Sequence, residues 1–389
     1  MFRVLAIVAV LSVLVAACGS DKSVPGPEVT APAGVEPARA LGAPERRLDL
    51  LAPAGYADDE TFAAATGCDV RVTRTAGSDD VVRKLSTGRY DGALGTGDAT
   101  IRLVAAGRIA PVNTALVPNY ADVYDGLKER SFNSVGGQQF AVPVGRAVNL
   151  LLWRRDGIPG TLGSLGAVLD QAQTASYGGE LVVPDDPASI GEAALWVARQ
   201  REDLKITDPY ELDRRQFAAV VAVLRLQRPY VTEYWRSPGA VREAFRAREA
   251  VVGLAPQKTV GELQARPDAG PIDAIRPREG STGVSPAWMI AARAKHPNCM
   301  YRWLNRVLDP AVNARMAQRV AIAPANRRSC DVLAAAGDEE HCQLYHADDD
   351  GYYQNVLFRT TPSRDCGDAR GRVCMGWDAW VKAWASITE

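Results

Sequence analysis

Between Leu48 and Gly107 short apolar runs alternate with segments of helical period, and that alternation restricts the chain to one class of architecture. Leu48-Asp49-Leu50-Leu51, Val70-Arg71-Val72 and Tyr90-Asp91-Gly92-Ala93-Leu94 read as strands. Residues 58–66, 79–85 and 98–106 read as helices, and Gly67 and Gly107 supply left-handed stops for the first and the last. A β-α-β-α-β-α unit of this kind implies a parallel sheet with helices over both faces.

Beyond Gly136-Gly137 the pattern changes to two extended apolar runs, Phe140-Ala141-Val142-Pro143-Val144 and Val148-Asn149-Leu150-Leu151-Leu152-Trp153, where the chain is expected to cross to a second lobe. A strand at Leu181-Val182-Val183, helices at 190–199 and 213–227 and a strand at Val251-Val252-Gly253-Leu254 make a second α/β unit. Trp288-Met289-Ile290-Ala291 and an amphipathic helix over 299–308, with Met300, Trp303, Leu304 and Val307 at helical spacing, bring the chain back. The expected fold is therefore two-lobed α/β, with residues 46–144 and 286–329 in one lobe and 145–285 and 330–389 in the other. In such a fold the ligand cleft lies between lobes, where strand carboxyl ends and helix N-termini meet. The tail tryptophans Trp377, Trp380 and Trp384 fall at i, i+3 and i+7 and read as a core stripe.

At the N-terminus Arg3 precedes an apolar run from Val4 to Val15 and then Val15-Ala16-Ala17-Cys18. Roughly a dozen apolar residues are too few to span a bilayer of about 30 Å, but they suit the core of an export signal. Residues 1–17 are read as a lipoprotein signal, Cys18 as the lipidated residue, and 18–45, rich in Pro, Ala, Gly and Val, as an unfolded tether. The protein is then placed outside the cytoplasm, anchored to the membrane by lipid. A net charge of −1 with 23% charged residues gives no field for nucleic acid. The six remaining cysteines form an even set for an oxidising compartment. Fifteen pairings are possible; Cys330–Cys342 and Cys366–Cys374 would close short local loops, leaving Cys68–Cys299 over a long separation. His341-Cys342 with His346 and Asp348-Asp349-Asp350 fits no zinc spacing, and no metal or other cofactor is expected. No Gly-x-Ser-x-Gly elbow or Walker-type loop is present, so the chain is not read as an enzyme.

Several motifs, in their order along the mature chain, carry a resemblance. They are Thr66-Gly67-Cys68-Asp69-Val70, Tyr90-Asp91-Gly92, Gly107-Arg108-Ile109-Ala110-Pro111-Val112, Asp208-Pro209-Tyr210-Glu211-Leu212, Pro277-Arg278-Glu279-Gly280-Ser281-Thr282-Gly283, the segment His296-Pro297-Asn298-Cys299-Met300-Tyr301-Arg302-Trp303-Leu304 and Ala323-Pro324-Ala325-Asn326. Together they resemble the extracellular solute-binding lipoproteins of ABC importers, in the spermidine/putrescine-binding branch. The resemblance implies a type II periplasmic-binding-protein fold, a monomer, a small solute held between lobes, and delivery to permease subunits. It also implies a polyamine held by aromatic faces and paired carboxylates.

The residues depart from that pattern. After the first strand only Tyr56 remains of an aromatic-acid-tyrosine group; Val284 and Pro286 stand where a tryptophan and an aspartate are usual; Ile322 replaces a tyrosine. Tyr56, Thr96, Asp98, Asp186 and Gln257 are left as candidate ligand residues. Asp98 reads equally as a helix N-cap, and Asp185-Asp186-Pro187 as a turn and cap. The loss of aromatic and acidic groups fits a neutral or less cationic solute, or a surface lipoprotein that engages protein partners without transport.

Overall fold

The structure, a computed structural model, describes residues 35–389. The signal 1–17, Cys18 and the tether as far as residue 34 lie outside the described residues. Among the described residues, no helix is long and apolar enough to cross a membrane.

The first sheet is built on Arg47–Ala52, flanked in parallel by Asp69–Arg74 and Gly92–Gly95. Phe62–Thr66, Ser78–Leu85 and Gly97–Ala105 are the connecting and following helices. Gly67 sits at φ 72° after the first, the left-handed stop read from the sequence. The sheet is not wholly parallel, however. Ala287–Ala291 runs antiparallel to Gly92–Gly95, and Ile109–Ala110 and Ala141–Pro143 pair antiparallel with it in turn. The reason is the point of entry: Ala287 pairs with Gly95, so the returning chain joins where the parallel strands finish and must run back along them.

The second sheet centres on Gly145–Arg154, in which every residue except Asn149 is buried, as in a strand covered on both faces. Val252–Pro256, Ile272–Ile275, Ser281–Val284 and Ala323–Pro324 pair antiparallel with it. Leu181–Pro184 and Val231–Trp235 extend one edge, and Val356–Phe358 the other. Phe62, Trp288 and Trp303 meet edge to face in the first core, at 5.0 and 5.4 Å between ring centroids. Trp380 and Trp384 are buried in the second.

The sheets join through a narrow hinge. Val144 N–H donates to the Pro286 carbonyl at 2.9 Å, Ser285 Oγ to the Gly145 carbonyl at 3.0 Å, and Asn313 Nδ2 to the Val144 carbonyl at 2.9 Å. A Cβ on Gly145 would lie 2.6 Å from the Ala323 carbonyl oxygen, so only glycine lets the strands approach this closely.

Three disulfides are formed: Cys68–Cys299, Cys330–Cys342 and Cys366–Cys374, across separations of 231, 12 and 8 residues. Loop-closure entropy alone gives the first about 5 kcal/mol and the last about 2 kcal/mol. Removing the first pair as C68A/C299A should therefore lower the urea midpoint clearly more than C366A/C374A does; equal losses would show that native-state strain, not chain entropy, sets their contribution.

Candidate functional site

The carboxyl ends of strands from both sheets face a cavity of about 740 Å³. One wall carries Tyr56, Ser78 and Thr96, the other Asp185, Asp186 and Arg236, with Val284 and Pro286 at the hinge. An inner chamber of about 250 Å³ continues it, lined by Asn149, Glu192, Tyr210, Trp235 and Thr282; Asp185, Asp186, Arg236, Val284 and Arg359 border both. A cavity of about 800 Å³ also exists, but apart from Val144 at the hinge and the helix Pro310–Val320 its walls, including Asp58 to Thr61, Trp288 and Trp303, come from the first lobe. The cleft bordered by both sheets is the better candidate.

Thr96, in extended conformation, precedes the helix Gly97–Ala105, and its hydroxyl donates to the Asp98 carboxylate. Asp98 is not the cap that its position suggests: it is the second helical residue, 1% exposed, and makes no capping bond. Its Oδ2 faces Arg359 Nε at 3.3 Å. Arg359 leaves the edge strand Val356–Phe358, its N–H donating to the Gly283 carbonyl at 2.8 Å, and its Nη1 reaches Asp186 Oδ2 at 2.5 Å. Asp186 also accepts from Ala188 N–H at 2.9 Å, so the turn reading and the cleft reading both apply, while the helix Ser189–Gln200 begins with no side-chain cap. Burial pushes the Asp186 carboxyl up, and Arg359 offsets only part of that. Burial works against the Arg359 charge, but Asp98 and Asp186 outweigh it and raise the guanidinium above its usual range.

The strap that carries Arg359 touches both lobes. Thr361 Oγ1 donates to the Asp98 carbonyl at 2.8 Å, and Phe358 packs on Phe132 at 5.1 Å. A Cβ on Gly97 would crowd the Arg359 carbonyl and lie 2.6 Å from Phe132 Cβ. Glycine at this position is what lets the strap lie on the helix N-terminus.

Of the five candidates, Tyr56, Thr96 and Asp186 line the main cavity and Asp98 lies just behind it, against Arg359. Gln257 does not join them. It opens the helix Gln257–Gln264, is 8% exposed, and gives its Nε2 to the Leu344 carbonyl at 2.6 Å, because a buried amide takes the free acceptor at a neighbouring helix end. Trp377 packs half-buried against the second core with Trp380 and Trp384 and also borders the cavity. Arg359, Glu192 and Arg236 were not singled out by the sequence, and Tyr210 entered only within the motif Asp208 to Leu212. Glu192 had a signal of its own there: one acid in the apolar run Ile190 to Val197.

Glu192 is 5% exposed, accepts from Thr282 Oγ1, and that hydroxyl accepts from Asn149 Nδ2 at 2.8 Å. Burial pushes its carboxyl up to about 7, against the lowering effect of these hydrogen bonds. Asp185 is already paired, with Oδ1 accepting from Trp384 Nε1 at 2.8 Å and Oδ2 meeting Arg236 at 2.5 Å.

Two acid-histidine groupings are otherwise occupied. Asp91 accepts from the N–H groups of Asp49, Lys295 and His296 and pairs with His296 Nδ1 at 2.8 Å, a clamp within the first lobe that uses its lone pairs. In the tail, Cys342 is in a disulfide and His341 Nε2 meets the Ile322 carbonyl at 2.9 Å.

No family model matches the chain. Solved structures do share its fold. The TpPotD lipoprotein of Treponema pallidum is 15% identical, with a TM-score of 0.68 over 88% of this chain and 99% of its own. The spermidine/putrescine ABC transporter substrate-binding protein of Streptococcus pneumoniae is 13% identical, with a TM-score of 0.67 over 88% and 97%. MotA of A. tumefaciens, solved with glucopine, is 15% identical, with a TM-score of 0.66 over 88% and 100%. At such identities the likeness is one of fold.

Because the folded carboxyl of Glu192 lies above its unfolded value of 4.5, the native state keeps the proton between pH 4.5 and about 7, and this group's contribution falls as pH rises through that window. Relative to E192Q, the wild type should lose stability between pH 5 and pH 8, by up to about 3 kcal/mol. Melting curves of the two proteins at both pH values measure it; a pH-independent difference would mean that Glu192 is ionised throughout.

Proposed function

We propose that this chain, with the two-lobed fold of ABC-importer solute-binding proteins, is the solute-binding subunit of such an importer, held outside the cytoplasm by lipid on Cys18. It takes a small polar solute between its lobes and presents it to permease subunits. The observation that supports this reading best is the paired chamber bordered by strand ends of both sheets, since a ligand there contacts each lobe and stabilises closure through differential contacts.

The solute we propose is not a polyamine. Val284 and Pro286 border the cavity where the resembling branch places an aromatic and an acid. Asp79 pairs with Arg102, Asp80 with Arg83 and Lys84, and Asp185 with Arg236, so three of the cleft's acids already have cations. What the inner chamber offers instead is hydrogen-bonding capacity from Asn149, Thr282, Glu192 and Tyr210 beside Trp235. That set suits a neutral or singly charged solute with several hydroxyl or amide groups.

Calorimetric titration with sugars, amino acids, amino sugars and spermidine tests the reading. Saturable binding of one uncharged or singly charged solute is expected, weakened at least tenfold, or about 1.4 kcal/mol, by N149A. Silence toward the whole panel would favour a role in protein contact.

A further inference from the structure

We infer that Arg359 is the specificity-determining residue of the cleft: its guanidinium is a built-in cation that fills the subsite formed by Asp98 and Asp186 across the two lobes and so shuts diamines and longer polyamines out of it. The inference rests on the cleft being a solute site, as proposed above, and adds the feature that decides which solutes are refused.

Three observations carry it. The first is placement. Asp98 belongs to a helix on the first sheet and Asp186 follows a strand of the second, yet one side chain meets both, at 3.3 and 2.5 Å. The second is fixation. The Arg359 backbone is held on one side by the Gly283 carbonyl at 2.8 Å, and two residues later Thr361 is bonded to the Asp98 carbonyl at 2.8 Å. A guanidinium held at both flanks is presented to the carboxylates at a high effective concentration, and a free ammonium must compete against it. The third is contrast with the neighbouring pair. Arg236 on Asp185 is a cation 86% exposed, as surface geometry alone produces, whereas Arg359 is 25% exposed and the Asp98 side chain it meets 1%. A buried carboxylate needs a cation, and this chain supplies its own.

Removing the guanidinium leaves a carboxylate pair facing a cavity, and an external diamine is then the nearest replacement. The probe is putrescine at low ionic strength, with the full chain and its R359Q, R359K and R359Q/D98N/D186N variants, read by titration calorimetry and by the shift in melting temperature. R359Q is expected to bind putrescine at least tenfold more tightly than the wild type and to be raised in melting temperature by it. R359K, which keeps a tethered cation, and the triple variant, which lacks the acids, should show neither effect. The thermal readout holds if R359Q is destabilised, because a ligand that binds only the native state raises its melting temperature. Saturable micromolar binding of putrescine by the wild type, or equal response of all four proteins, would overturn the inference. Failure of the solute-binding reading looks different: the wild type would ignore the solute panel while R359Q still gained putrescine.

Discussion

One guanidinium holds together two carboxylates that belong to different sheets. Asp98 and Asp186 would repel each other across a closed cleft, and burial would penalise both. With Arg359 between them the same contact becomes attractive, and the lobes acquire a link beside the hinge, where Arg359 N–H meets the Gly283 carbonyl. Much of the local sequence answers to that arrangement. Gly97 clears space for the strap, Phe132 offers it an aromatic seat, and Thr361 ties it to the helix that carries Asp98.

A second arginine does comparable work at the hinge. Arg146, 1% exposed at the start of the long central strand, stacks over Tyr353 at 3.7 Å and Tyr124 at 5.0 Å, and bonds the Ala347 carbonyl at 2.8 Å and Asp350 at 3.1 Å. Tyr124 packs in the first core and Tyr353 in the core around the second sheet, so this cation also joins elements of both lobes. The segment from Cys330 to Thr361 thus supplies partners at two places between the lobes. Its short disulfide and the later Cys366–Cys374 bridge limit how far it can unravel.

The fold was legible because its signals are local. Alternating apolar runs and glycine stops mark the three parallel strands and their helices, and the hydrophobic run from Val148 to Trp153 marks the central strand. The antiparallel return at Ala287 was not legible, since strand direction depends on where a distant segment enters the sheet. The site divides along the same line. Tyr56, Thr96, Asp98 and Asp186 sit at strand ends and helix starts, which a sequence pattern can locate. Gln257 has the same kind of address, but its orientation was decided by a carbonyl at Leu344, which no spacing reveals. Arg359 was hidden for the opposite reason: nothing around it forms a motif, and its meaning comes only from the two acids that the fold brings to it.

The interlobe bridge makes a claim about the protein without solute: the cleft is held shut by the chain's own charges. Small-angle scattering of the wild type and R359Q, both free of solute, compares this directly. A smaller radius of gyration for the wild type, with R359Q expanding, is the predicted result. Equal radii for the two, at a value matching separated lobes, would contradict the claim and leave Arg359 a passive surface cation.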